Sequence, residues 1–157
     1  LFVIRKTFAE KAGYKNSLYY NWCGGVNKKW HNRAGSRDKA LYYFNTQNIN
    51  FKYVWFIEED VFIPTLNTIK NIDTAYPEGD LLCASNDIYL TPKPKKEWHW
   101  GFVYSTCRLC PPYGRSMICS IRCSKLMLDT IDEYVIKNRT LFVDEALFNT
   151  IALHSKN

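Results

Sequence analysis

The chain has 157 residues, of which 46% are hydrophobic and 23% charged; this is one domain's worth and excludes a disordered, collagen-like or coiled-coil chain. Lys and Arg number 21 against 15 Asp and Glu, a formal charge of +6, which favours anionic partners. The basic residues are scattered, and the densest group, Lys93, Lys95 and Lys96, is interrupted by prolines, so no nucleic-acid partner is expected.

Residues 1–35 carry little periodic pattern and contain Gly24-Gly25. The chain opens on Leu1 rather than Met, which points to a fragment or a processed product. No apolar run reaches the ~20 residues that a membrane helix needs, so no span is expected in this stretch. Ser36 is an acceptable helix N-cap, and Ala40, Leu41 and Phe44 follow at helical spacing. Tyr53-Val54-Trp55-Phe56-Ile57 is a continuous run of strand formers, too short for an independent helix. It predicts a central strand buried on both faces, as in a parallel sheet. Pro64 opens a modest helix towards Ile72, and Tyr76-Pro77-Glu78-Gly79 reads as a turn. Residues 80–84 predict a second short strand. Residues 86–115 hold four prolines and two glycines and predict a long irregular segment of the functional kind. Residues 116–123 predict a third strand. Ser124 then caps a helix with Leu128, Ile131 and Val135 on one face, and a last helix begins near Asp144 with Leu147, Phe148 and Ile151 inward. Strands alternating with helices predict an α/β layered domain.

The most informative feature is Glu58-Glu59-Asp60 directly after the apolar strand. If the chain stays extended, Glu58 and Asp60 point one way and Glu59 the other. Like charges this close repel unless a cation or donors compensate. Strand C-terminal ends are where ligands bind in open α/β sheets. Mg²⁺ or Mn²⁺ would neutralise the cluster and hold a diphosphate; the plainer alternative is a solvated acidic loop.

Val54 to Phe62, with Glu58-Glu59-Asp60 at its centre, resembles the strand and DxD-type motif of GT-A nucleotide-sugar glycosyltransferases, nearest to the form seen in Golgi N-acetylglucosaminyltransferases. Asp38-Lys39-Ala40-Leu41-Tyr42-Tyr43-Phe44 is similar to the helix before that strand, and Phe142-Val143-Asp144-Glu145-Ala146-Leu147-Phe148 to the acidic segment that carries a catalytic base in inverting members. The resemblance covers roughly residues 36–153. It implies a Rossmann-like sheet of mostly parallel strands flanked by helices. Family members begin with a β-strand and a nucleobase-binding turn before that helix, so by resemblance the domain is expected to be N-terminally incomplete, with Leu1 to Arg5 as a remnant. Asp60 would be the main metal ligand, Glu59 would lie against the ribose or the metal, and Glu58 would face the nucleotide. Arg37, Asp38 and Lys39 would serve the donor from the upstream helix; exposed helix-face charges are the plainer account of Arg37 and Lys39. Asp144 and Glu145 compete as the base. Helix capping explains Asp144 on its own, so Glu145 is preferred. Trp98-His99-Trp100-Gly101 would hold the acceptor, unless the tryptophans anchor the loop to the core. The implied reaction is metal-dependent transfer of a sugar from a nucleotide donor, UDP-sugar first, to a hydroxyl of a glycan.

The six cysteines and the Asn138-Arg139-Thr140 sequon suit a secretory compartment, the Golgi lumen by resemblance, and a disulfide from Cys107 or Cys110. Cys107-x2-Cys110 followed by Cys119-x3-Cys123 also suggests structural zinc. Cys119 and Cys123 would be ~13 Å apart in an extended strand, too far for one site without a bend. Zinc would make the chain a basic binding module instead. A further alternative is a glycosyltransferase-like domain without activity, because the nucleotide half is absent.

Overall fold

Tyr53–Ile57 forms strand β1, as its aromatic and β-branched residues favour, but β1 flanks the sheet and none of its residues is fully buried. The computed structural model describes residues 5–14, 36–47 and 49–155. Leu1 to Ile4, Cys23 and Gly24-Gly25, which bear on the expectations above, lie outside the described residues.

The middle strand is β5, Ser120–Ser124, with β1 on one side and β2, Leu81–Leu82, on the other. Both pairings are antiparallel, with Trp55 opposite Arg122 and Leu82 opposite Arg122 from the far side. A second sheet pairs β3, Asp87–Tyr89, with β4, Tyr113–Arg115, also antiparallel. The expected mostly parallel, Rossmann-like sheet is therefore overturned. The helix α3, Leu66–Ala75, carries the chain from β1 to β2, which run in the same direction. That is the connection a parallel pair needs, but β5 lies between the two strands and takes their hydrogen bonds. An apolar run reports that a strand is covered; it does not report the direction of its partner.

Alternation along the strands sorts their side chains onto two faces. On one, Val54, Phe56, Ile121 and Cys123 meet the core. Phe44 of helix α2, Ser36–Thr46, stands edge-on to Phe56 with ring centroids 5.3 Å apart. Helix α1, Lys6–Ala12, ends at Gly13 in the left-handed region, φ 105°, where glycine has no Cβ to clash. Tyr14, which follows, is buried; its hydroxyl donates to Asp132 at 3.0 Å and accepts from Asn45 at 2.9 Å. These bonds tie α1 and α2 to α5, Lys125–Asn138. Ser124 caps α5 as expected, its hydroxyl accepting from the Met127 N–H at 3.0 Å.

The other face carries Tyr53, Trp55, Arg122 and Leu82. Arg122 is fully buried. It donates to Asp73 of α3 at 2.8 Å and to the carbonyls of Tyr76 and Gly79, with its guanidinium carbon 4.1 Å from the centre of the Tyr53 ring. Trp55 donates to the same Asp73 oxygen at 3.2 Å. No residue of α3 is fully buried, and Asp73 ties this helix to the sheet through Arg122 and Trp55.

Residues 86–115, expected to be irregular, contain β3, β4 and helix α4, Trp100–Thr106. Their cement is aromatic: Trp100 meets Tyr89 at 5.0 Å edge-on and stacks on Tyr104 at 5.8 Å. These elements are short, and the contacts that join one to another are not set by local spacing, so periodicity carries little trace of them. Helix α6, Asp144–His154, is buried from Ala146 to Ile151, which marks a helix covered all round. β4 lies directly on it. A Cβ added to Gly114 would sit 2.5 Å from Asn149 Cβ and 2.9 Å from Asn149 backbone carbon. Gly114→Ala is therefore expected to destabilise the protein by about 1–3 kcal/mol, the usual cost of overpacking, read as a lower melting temperature. Unchanged melting would mean that β4 and α6 are not in close contact.

No helix among the described residues is long and apolar enough to cross a membrane.

Candidate active site

The acidic run begins where β1 stops. Glu58 N–H still donates to the Cys119 carbonyl at 2.8 Å, and Val61 N–H turns back to the Glu58 carbonyl at 3.2 Å. Glu59 and Asp60 thus sit in a turn, not on an extended strand, so the strict two-sided alternation expected for the three acids is corrected. All three are exposed. With Arg37, Ala40 and Phe56 they line a cleft of about 630 Å³. A larger hollow, about 730 Å³, lies between α3, β2 and α6. Its walls are mainly apolar and it holds none of the expected site residues, so the chemistry points to the smaller cleft.

Arg37, near the start of α2, joins two distant acids. Its Nη2 contacts Glu58 and its Nη1 donates to Asp144 Oδ2 at 2.8 Å. The Arg37 side chain is only 13% exposed, against 45% for Glu58 and 28% for Asp144, so the cation is buried while its partners keep contact with water. The plainer expectation of an exposed helix-face charge does not hold for Arg37. Lys39, two residues on, makes no ion pair among the described residues, and the Asp38 side chain lies outside them.

Asp144 is the first residue of α6 and Val143 its N-cap. The capping role expected of Asp144 is corrected accordingly: its Oδ1 accepts only from the adjoining Glu145 N–H, at 3.0 Å, and its Oδ2 is held by Arg37. Glu145 is half-buried. Its Oε2 accepts from the Trp98 indole N–H at 3.1 Å, and its carbonyl accepts from Ser116 N–H at 2.9 Å. Burial, followed by repulsion from Asp144, raises its carboxyl above the usual carboxylate range, opposed by the Trp98 bond and by Arg115 and Arg37. A carboxylate in this state accepts a proton more readily than an exposed one.

Trp98 has φ 43°, a conformation that costs a bulky residue about 1–3 kcal/mol and persists only where its surroundings enforce it. Trp100, by contrast, is 2% exposed and packed in the core. It has almost no surface to offer a sugar, which corrects its expected acceptor contact in favour of the anchoring alternative. His99 is partly buried; burial lowers its pKa, with Asp144 acting in the opposite sense.

Arg115 was invisible in the sequence. It lies over the Trp98 ring at 5.1 Å and pairs with Asp87 at 3.2 Å across the β3–β4 register. No spacing rule marks an arginine in a Pro- and Gly-rich stretch. Cys119 also borders the acids, and its hydrogen bond to Glu58 raises its thiol pKa, with burial adding to the effect.

The described cysteines come together at most in pairs, Cys107 with Cys110 and Cys83 with Cys123. Cys83, Cys107, Cys110, Cys119 and Cys123 are all free thiols, so no disulfide from Cys107 or Cys110 joins described cysteines. Burial pushes the Cys107 thiol up to about 11 and raises that of Cys123 further. Among the described residues, no group of three or more His, Cys, Asp or Glu is arranged to hold a metal by itself. A divalent cation at the β1 end would therefore have at most Glu59 and Asp60, which make no ion pair, as ligands from the described residues. That donor set fits Mg²⁺ or Mn²⁺ shared with phosphate oxygens and water, and does not fit a closed protein cage.

Comparison with known protein families, with curated proteins and with solved structures gave no match.

Proposed function

We propose that the protein is a metal-assisted glycosyltransferase, moving a sugar from a nucleoside diphosphate donor, UDP-sugar first, to a hydroxyl of a glycan. One observation carries this reading: Arg37 bridges the acids that end β1 to the acids that begin α6. Glu58 and Asp144, from distant parts of the chain, thereby share one guanidinium, as a donor-binding end and a proton-accepting end of one reaction would require. The resemblance of the β1 segment to a DxD-type motif supplies the substrate class.

The chemistry then divides among the residues. Asp60 and Glu59 would hold Mn²⁺ or Mg²⁺, whose contribution when bound is to neutralise charge on the departing nucleoside diphosphate. Arg37, bonded to both, offsets the repulsion between Glu58 and Asp144. Glu145 accepts the proton of the acceptor hydroxyl as that oxygen bonds the anomeric carbon and the carbon–phosphate oxygen bond breaks; the bonding electrons leave with the diphosphate. His99, close enough to Asp144 to feel its charge, is a candidate for contact with the acceptor. A Golgi-lumen location goes with this activity.

Release of nucleoside diphosphate from a panel of UDP- and GDP-sugars, with Mn²⁺ and simple glycan acceptors, tests the proposal. Release from at least one donor that stops on chelation is expected. No release from any donor, or an equal rate in chelator, contradicts it.

A further inference from the structure

We propose that Trp98 is a positioning residue for Glu145, fixing one oxygen of its carboxylate through the indole N–H, with Arg115 as the clamp that fixes the indole. The inference rests on Glu145 as the proton acceptor of the function proposed above.

Three features of the structure lead to it. The Trp98 N–H is spent on Glu145 Oε2 at 3.1 Å, so it is not free to bond an acceptor hydroxyl. The backbone of Trp98 is held at φ 43°, and a conformation so unsuited to a bulky side chain calls for a set of contacts that enforce it. Those contacts are present. The Arg115 guanidinium lies 5.1 Å from the ring centre, and the Trp100 and His99 rings lie at 5.0 and 5.1 Å. Arg115 is itself held by Asp87 at 3.2 Å. The residue after Arg115, Ser116, donates its N–H to the Glu145 carbonyl at 2.9 Å. The end of β4 therefore grips Glu145 twice, at its backbone directly and at its carboxylate through Trp98.

This grip has a chemical consequence. With Oε2 held by Trp98, Oε1 is left as the oxygen that takes the proton, and its direction is set. A positioned base of this kind requires no search of rotamers at the moment of transfer. The charged groups facing Glu145 are Arg115 from β4, Arg37 from α2 and Asp144 from its own helix, with His99 facing Asp144. Arg37 is committed to Glu58 and Asp144, which leaves Trp98 and Arg115 as the pair acting on Glu145 from the loop and β4.

The test is a carboxyl NMR titration of Glu145 in the whole chain, assigned with Glu145→Gln and compared between wild type, Trp98→Phe and Arg115→Gln. Phenylalanine keeps an aromatic ring and removes the N–H. The lost bond favoured the ionised carboxylate, so the Glu145 midpoint is expected to rise in Trp98→Phe, and to rise in Arg115→Gln as a cation is lost. A Trp98 that only shields Glu145 from water gives the opposite sign, because opening the site hydrates the carboxylate and lowers the midpoint. A fall, or no change, overturns the proposal. If Trp98→Phe does not fold, the Trp98 indole N–H resonance of the unmodified protein replaces it. That signal is expected to shift with the Glu145 titration, and a flat signal overturns the proposal. The titration uses no donor or acceptor, so it remains decisive even if no sugar transfer is detected.

Discussion

Glu145→Gln is expected to lower sugar transfer by about 10²–10⁴-fold, the range that positioned proton transfer contributes, with UDP binding and melting temperature unchanged. Glutamine keeps the shape of the side chain and can still accept from the Trp98 indole, which donates to Oε2 in the wild type; it cannot take a proton. Asp144→Asn should lose less, because the Asp144 carboxylate is held by Arg37 and by the Glu145 N–H. The wild-type pH profile checks the same assignment. A base works in its ionised form, so the rate rises with pH as Glu145 loses its proton. Burial raises its pKa, so this acidic limb should lie above the ordinary carboxylate range. Initial rates against pH for the wild type and both variants measure this. A Glu145→Gln enzyme that keeps most of its rate would show that another group accepts the proton.

Asp73→Ala is expected to destabilise the protein by about 2–4 kcal/mol, somewhat less than breaking a fully buried ion pair because Asp73 keeps contact with water. The asymmetry of the pair decides the size. Arg122 is fully buried whereas the Asp73 side chain is 41% exposed. Removing Asp73 leaves a buried guanidinium with no counter-charge, held only by the Tyr76 and Gly79 carbonyls and the Tyr53 ring, and leaves the Trp55 indole without its acceptor. Arg122→Met should cost less, since it leaves only a carboxylate that can rehydrate and two carbonyls near the surface turn. Urea unfolding of both variants measures the order. Greater damage from Arg122→Met would mean that packing, not charge, dominates at this position.

Much of the local structure was legible in the residues. The run from Tyr53 to Ile57 is a strand with the expected ends, and Ser124 caps the helix that follows β5. The last helix starts at Asp144. These are short-range properties: side-chain shape on a strand, one hydroxyl at a helix start, one apolar face. Strand direction was not legible, because it depends on which segment slides between β1 and β2, and β5 lies more than 60 residues after β1. Nor was the β3–α4–β4 segment, whose strands are three residues long and whose aromatic contacts between elements, Trp100 with Tyr89 and with Tyr113, follow no period. The site divides in the same way. Glu58, Asp144 and Glu145 stood out by charge and position. Their meeting through Arg37 and the grip of Arg115 on Trp98 are long-range contacts that no spacing announces.

The central claim is that the acids ending β1 bind a nucleoside diphosphate together with a divalent cation. Calorimetric titration of UDP into the whole chain, with and without Mn²⁺, beside Asp60→Ala, measures it most directly. UDP binding that requires Mn²⁺ and disappears in Asp60→Ala is the expected result. UDP binding of equal strength in all three conditions, or no binding of either UDP or GDP in any of them, would contradict it.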